Sequence, residues 1–102
     1  MINPEMNEQK LTGMMGLALR ARQAVTGTDA CRMMIEAGKC GILLMDESTG
    51  INTRKKMENL CERTRTQFAV IPAGLMESAT GYQGVLMAIR KGSFADQAAG
   101  CL

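Results

Sequence analysis

There is no histidine in this chain and no tryptophan, and only three residues are aromatic. Without imidazole, the usual general base and the usual zinc ligand are both missing. Nor do any two of the four cysteines form a C-x-x-C pair, so a zinc site is not expected. No apolar run approaches the length of a membrane span. There is no G-x-x-x-x-G-K-[ST] loop, and no G-x-G-x-x-G after a strand-like run. Nucleotide cofactors, metals and other cofactors are therefore not expected, and no constellation of residues points to an enzyme. The opening MINPEMNEQK carries acids and no apolar centre, unlike a secretory signal. Free thiols in such a chain fit a cytoplasmic location.

What is present suits one domain of 102 residues, expected to span 1–102 with mobile ends at 1–7 and 100–102. Ten methionines describe an aliphatic core that repacks easily. Twelve basic residues against ten acidic ones give a net charge of +2, which permits a polyanion partner only through a local patch.

Apolar spacing at Leu11, Met14, Met15 and Ala18 predicts a helix between Asn7 and Arg22. Gly13 and Gly16 weaken it by about 1 kcal/mol each but would let another backbone approach. A very short strand at 24–26 leads into VTGTDACRMM. There Thr28, or else Thr26, is the expected cap of a helix with Cys31, Met34, Ile35 and Gly38 on its buried stripe. The run 41–46 reads as a strand buried on both faces. Its closing acids, Asp46 and Glu47, read as a solvated strand end. Asn52 or Thr53 should cap a helix with Met57, Leu60, Cys61 and Thr64 inside. Residues 68–71 form the next strand, stopped by Pro72. A short helix within 74–80 ends at Gly81, the run 85–89 is a third apolar strand, and Ser93 caps a final helix over 93–99. Cys31 and Cys61 belong to core stripes, whereas Cys101 falls at the expected mobile end.

Helices alternate with buried strands, which predicts a three-layer α/β/α sandwich around a small sheet. Alternation favours parallel pairing, with an antiparallel strand left open by the short linkers. The basic run Arg54-Lys55-Lys56 sits at a helix start, where cations oppose the dipole. As a solvated face it is ordinary, yet its local cost hints at an anionic partner. The amides that open the VTGTDACRMM helix favour anions as well.

In order and spacing, G-L-A-L-R-A-R-Q-A-V-T-G, A-G-K-C-G-I-L-L-M, N-T-R-K-K and G-S-F-A-D resemble the bacterial YlxQ-like branch of the ribosomal protein L-seven-Ae / L-thirty-e superfamily. The resemblance runs from about Leu11 to Asp96. It implies an α/β/α sandwich with a mixed four-stranded sheet. It also implies a ribonucleoprotein role in translation, binding structured RNA, ribosomal or messenger, typically at a kink-turn. Family members read that motif through G-x-N-E-x-x-K. Gly27 keeps the glycine, while Asp29, Ala30 and Met33 replace the three polar readers. A second family loop, L-G-x-A-x-G, appears as Met76-Glu77-Ser78-Ala79-Thr80-Gly81, with Glu77 in place of a glycine. The resemblance thus places RNA contacts at Thr26, Gly27, Thr28, Asp29, Arg32, Met33, Met76, Glu77, Ser78 and Ala79. The replaced readers leave a rival expectation: a protein-interaction or homodimerisation module that has lost kink-turn recognition, with Ala30, Met33 and Met76 as contacts.

Overall fold

A computed structural model describes residues 6–81 and 83–102. Its elements run α1 (Glu8–Arg20), β1 (Ala24–Thr26), α2 (Thr28–Glu36), β2 (Cys40–Asp46), α3 (Ile51–Thr64), β3 (Gln67–Ile71), α4 (Leu75–Thr80), β4 (Leu86–Arg90) and α5 (Ser93–Gly100). The four strands form one sheet in the order β1-β4-β2-β3. Only β2 and β3 are parallel; β4 runs antiparallel to both its neighbours. The sheet is therefore mixed, as the resemblance implies, and not the parallel one that alternation favours. The short α4 does not carry the chain back across the sheet, so β4 enters from the end where β2 and β3 leave it.

Each face of the sheet buries its own set of side chains. Ile42, Leu44, Ile71, Met87 and Ile89 pack under α1, α4 and α5 with Leu11, Met15, Met76 and Ala98. Leu43, Met45, Val70, Leu86 and Ala88 pack under α2 and α3 with Cys31, Ile35, Met57 and Leu60. Full burial of one such aliphatic side chain is worth about 1.5–3 kcal/mol. Strict alternation would put Cys40 on the first face beside Ile42. It lies on the second, because the pairing with β4 slips between Cys40 and Ile42 and leaves Gly41 as the extra residue. A methyl group on Gly41 would lie 2.6 Å from the Ala95 Cβ and 3.0 Å from the Lys91 Cα. The missing side chain lets the turn into α5 lie directly on β2.

Glycine, not threonine or serine, opens four of the five helices. Gly27, Gly50, Gly74 and Gly92 are the N-caps of α2 to α5, none with a side-chain cap bond. Thr28, Asn52, Thr53 and Ser93 are instead inside the helices they were expected to cap. At Gly27 the backbone turns out of β1 at φ 93°, ψ 152°, which a threonine would hold only under strain. Asn7 does cap α1, accepting the Lys10 amide on its side-chain oxygen at 3.1 Å. Gly16 admits the Ala79 carbonyl oxygen of α4 to 3.2 Å from where a Cβ would be; Gly13 faces open space. Thr64, expected in the core, is exposed, and its hydroxyl donates back to the Leu60 carbonyl.

The ends expected to be mobile are packed where they are described. Residues 1–5 lie outside the described residues. Met6 packs against the first core, and the Asn7 amide donates to the Cys101 carbonyl at 2.8 Å. Cys101 is buried, contrary to its expected place on a loose end, because α5 folds back against α1. No helix among the described residues is long and apolar enough to cross a membrane.

Candidate nucleic-acid interface

β1 delivers its chain to the edge of the molecule and Gly27 turns it into α2. The Gly27 amide donates to the Leu86 carbonyl at 3.2 Å, and the Gly27 carbonyl accepts the Cys31 amide at 3.0 Å. The amides of Thr28, Asp29 and Ala30 lie between, in a helix start with no side-chain cap. Gly27, Thr28 and Asp29 are all exposed. The turn is thus an open, positively polarised tip that can donate to a phosphate or a base edge.

The expected contact residues divide. Thr26 and Ala79, distant in sequence, line one groove with Gly16, Leu19, Arg20 and Thr80, about 480 Å³ in volume. The two segments singled out by the resemblance therefore meet. Glu77 and Ser78 are exposed on the outer side of α4. Met76 is a correction: it is fully buried in the first core, because α4 needs one apolar anchor against α1 and the sheet, so it reaches no RNA. Met33 is 67% exposed. Arg32 is held on its own helix, 3.4 Å from Asp29 and 3.5 Å from Glu36. That ring of charges neutralises much of the cation, yet both pairs are exposed and hold it weakly.

Arg20 had no place among the expected contacts. It lines the groove, and its guanidinium folds back to within 3.8 Å of the space above Gly16. The signal was available in its place on α1, four residues from Gly16, but only the fold shows that α4 stands opposite.

Asp46 is a second correction. It is buried rather than a solvated strand end. Its carboxylate accepts from the Ser48 amide at 2.8 Å, the Ser48 hydroxyl at 2.6 Å and the Gly74 amide at 3.0 Å. Burial alone would raise its pKa; the bonds from Ser48 and Gly74 outweigh that and hold it below the ordinary value. This clasp fixes where α4 begins and so sets the far wall of the groove. At the thiols the balance goes the other way. Burial pushes Cys31 up to about 12, and Cys40 and Cys61 up to about 11, so these three stay protonated at neutral pH.

The chain is similar to solved structures. One is a protein of unknown function from Bacillus halodurans C, with a TM-score of 0.85 and 24% identity over 90% of this chain and 95% of that one. Another is a Giardia lamblia 15.5kD RNA binding protein, with a TM-score of 0.76 and 11% identity over 98% of this chain and 97% of that one. No family model matches the sequence. No curated protein matches it either. At such identities the likeness establishes the fold, and it extends over nearly the full length of each chain. The chemistry of the site rests on this chain's own residues, the open tip and the groove beside it.

Proposed function

We propose that this chain is a non-catalytic RNA-binding module of the YlxQ-like branch of the ribosomal protein L-seven-Ae / L-thirty-e superfamily. It docks a kink-turn or a similarly bent RNA element at the Gly27 tip, in a cytoplasmic ribonucleoprotein connected with translation. The observation that carries the reading is the exposure of Gly27, Thr28 and Asp29 with uncapped amides behind them. The likeness to an RNA binding protein at a TM-score of 0.76 supports it. Phosphate recognition falls to the backbone amides and to Arg20. Base reading is weaker than in relatives that keep G-x-N-E-x-x-K, since a bidentate base contact is worth about 1–3 kcal/mol and Ala30 and Met33 make none.

A labelled kink-turn hairpin tests this. Binding should be clear at low salt and fall steeply as salt rises, because phosphate contacts release counterions. No binding at low salt would end the proposal. A second reading, self-association through α2, is favoured by the exposure of Met33, the greatest among the large apolar side chains of the described residues. It requires a concentration-dependent mass that Met33→Lys abolishes; a monomer at every concentration would remove it.

A further inference from the structure

The strands bring a second set of residues together at the end of the sheet opposite Gly27. β1 and β2 begin there, β3 begins there, and β4 ends there. That end carries Arg22 before β1, Lys39 before β2, Arg65 before β3, Arg90 as the last residue of β4 and Lys91 after it, all exposed. Backbone bonds hold these connections side by side: the Arg90 amide donates to the Gln23 carbonyl at 2.7 Å, and the Lys91 amide to the Lys39 carbonyl at 2.9 Å. None of the five cations makes an ion pair among the described residues, whereas Arg32 and Arg54 both do. The acids of that end are Glu36, already held by Arg32, Glu62 beside Arg63, and Asp96.

Two of the five sit where arginine is conformationally costly. Arg22 and Arg65 have φ of 60° and 58°, and they are the non-glycine residues with positive φ among those described. The chain uses glycine for the same left-handed geometry at Gly38, Gly74 and Gly81. Arginine at both positions keeps a cation at the cost of backbone strain.

We propose that this end of the sheet is a second, sequence-indifferent RNA contact, in which Arg22, Lys39, Arg65, Arg90 and Lys91 hold the phosphates of a duplex stem. The inference rests on the RNA-binding reading above and names a further part of the same partner. Four strands spread the cations over about 14 Å at about 4.8 Å per strand gap, long enough to meet several phosphates of one stem, whose axial charge density is at least the one per about 3.4 Å per strand of duplex DNA. A stem of about ten pairs, whose A-form rise is shorter than the roughly 3.4 Å of duplex DNA, spans the 25 to 30 Å of the molecule, so one RNA reaches both ends. A membrane surface fits less well, since Leu17, Met33, Ile51 and Val85, the exposed large apolar residues, all lie outside these connections.

The test compares two RNAs with the full chain. One is a plain duplex without an internal loop; the other is a kink-turn hairpin with its stems trimmed. The variant carries Arg22→Gly, Lys39→Gln, Arg65→Gly, Arg90→Gln and Lys91→Gln. The two glycines relieve strain, so folding is preserved, as thermal melting will verify. Duplex affinity should fall about tenfold or more and the slope of log affinity against log salt should shrink by about three, while the trimmed hairpin changes less than about twofold. A folded variant with unchanged duplex affinity and slope overturns the inference, as does a wild-type chain that ignores the duplex. Phosphatidylserine vesicles that bind the wild type and lose the variant, with duplex binding intact, overturn it in favour of a lipid surface. Thr28→Pro separates the two readings. It deletes one tip amide at a position where proline suits a helix, and should weaken only the trimmed hairpin. If it leaves the hairpin untouched, docking at the tip fails and the opposite-end contact stands.

Discussion

At the Gly27 end of the sheet a buried carboxylate ties connections together; at the other end a missing side chain lets two backbones touch. The Asp46 carboxylate joins the loop after β2 to the start of α4 through Ser48 and Gly74. The Asp46 amide also donates to the Val85 carbonyl at 2.7 Å, which brings the entry to β4 into the same knot. At the opposite end Gly41 admits Lys91 and Ala95, and the cations stand free around it. The contrast teaches how a nearly neutral chain presents two different surfaces. Where charge is used for structure it is buried and saturated with donors. Where charge is left exposed, steric fit holds the backbone, and the side chains are spared.

The Gly27 end is most vulnerable at Asp46. Asp46→Ala strands the Ser48 and Gly74 amides and should cost about 3 kcal/mol, read by urea denaturation. The same carboxylate makes the wild type acid-sensitive in a defined direction. Its folded pKa lies below the unfolded value near 3.8. Its contribution is therefore complete above that value and is lost as pH falls through the folded pKa. In Asp46→Ala this part of the acid transition should vanish. If the variant is as stable as wild type and has the same acid limb, the clasp has been misjudged.

Gly41→Ala attacks the other end. The new methyl meets the Ala95 Cβ and the Lys91 backbone, neither of them the far end of a flexible side chain, so the α5 turn must move, at about 2 kcal/mol. The displacement should also shift Lys91 and weaken duplex RNA, which Asp46→Ala should not do. Arg65→Gly works in the opposite sense. Relief of the left-handed strain, less the added freedom of the unfolded chain, should stabilise by about 0.5 kcal/mol, a rise in melting temperature of about 2 to 4 °C. A gain in stability joined to a loss of RNA affinity is the signature of a residue kept for its charge. A loss of both would instead make Arg65 a structural cap.

Much of this architecture is legible in the sequence because burial writes periodicity. The runs 41–46, 68–71 and 85–89 declare strands, and Leu11, Met14, Met15 and Ala18 declare a helix face, since only these patterns bury apolar surface at 2.0 and 3.6 residues per repeat. Strand direction is not written that way. β4 has the same apolar run whether it pairs parallel or antiparallel, and the six residues of α4 give no sign that the chain stays at one end of the sheet. The caps misled because Thr28 and Ser93 have good capping chemistry, while the preceding glycines take the turn geometry. At the site, Gly27 was legible as the turn before a helix. Met76 was not legible as core, because a helix of fewer than two turns has too little periodicity to mark its inner face. Nor were the five opposite-end cations, which lie at four separate places in the chain and become neighbours only when the sheet assembles.

The smallest effect sharpens the comparison from the tip side. Asp29 is 85% exposed and 3.4 Å from the Arg32 guanidinium, with Glu36 on the cation's other side. An exposed pair of this kind contributes about 0.5 kcal/mol or less, so Asp29→Asn should leave urea stability nearly unchanged. For RNA docked at the tip as proposed, the change acts twice in the same sense: it removes an anion from the docking surface, and it frees Arg32 from one of its two partners. Screening at an exposed site keeps the gain small, about twofold in affinity for the trimmed kink-turn hairpin at low salt, fading when the Debye length shrinks to about 3 Å at 1 M salt. The plain duplex, held at the other end of the sheet, should not respond. An equal response from both RNAs would mean that the two ends are not separate contacts but one continuous field, and the division between them would have to be given up.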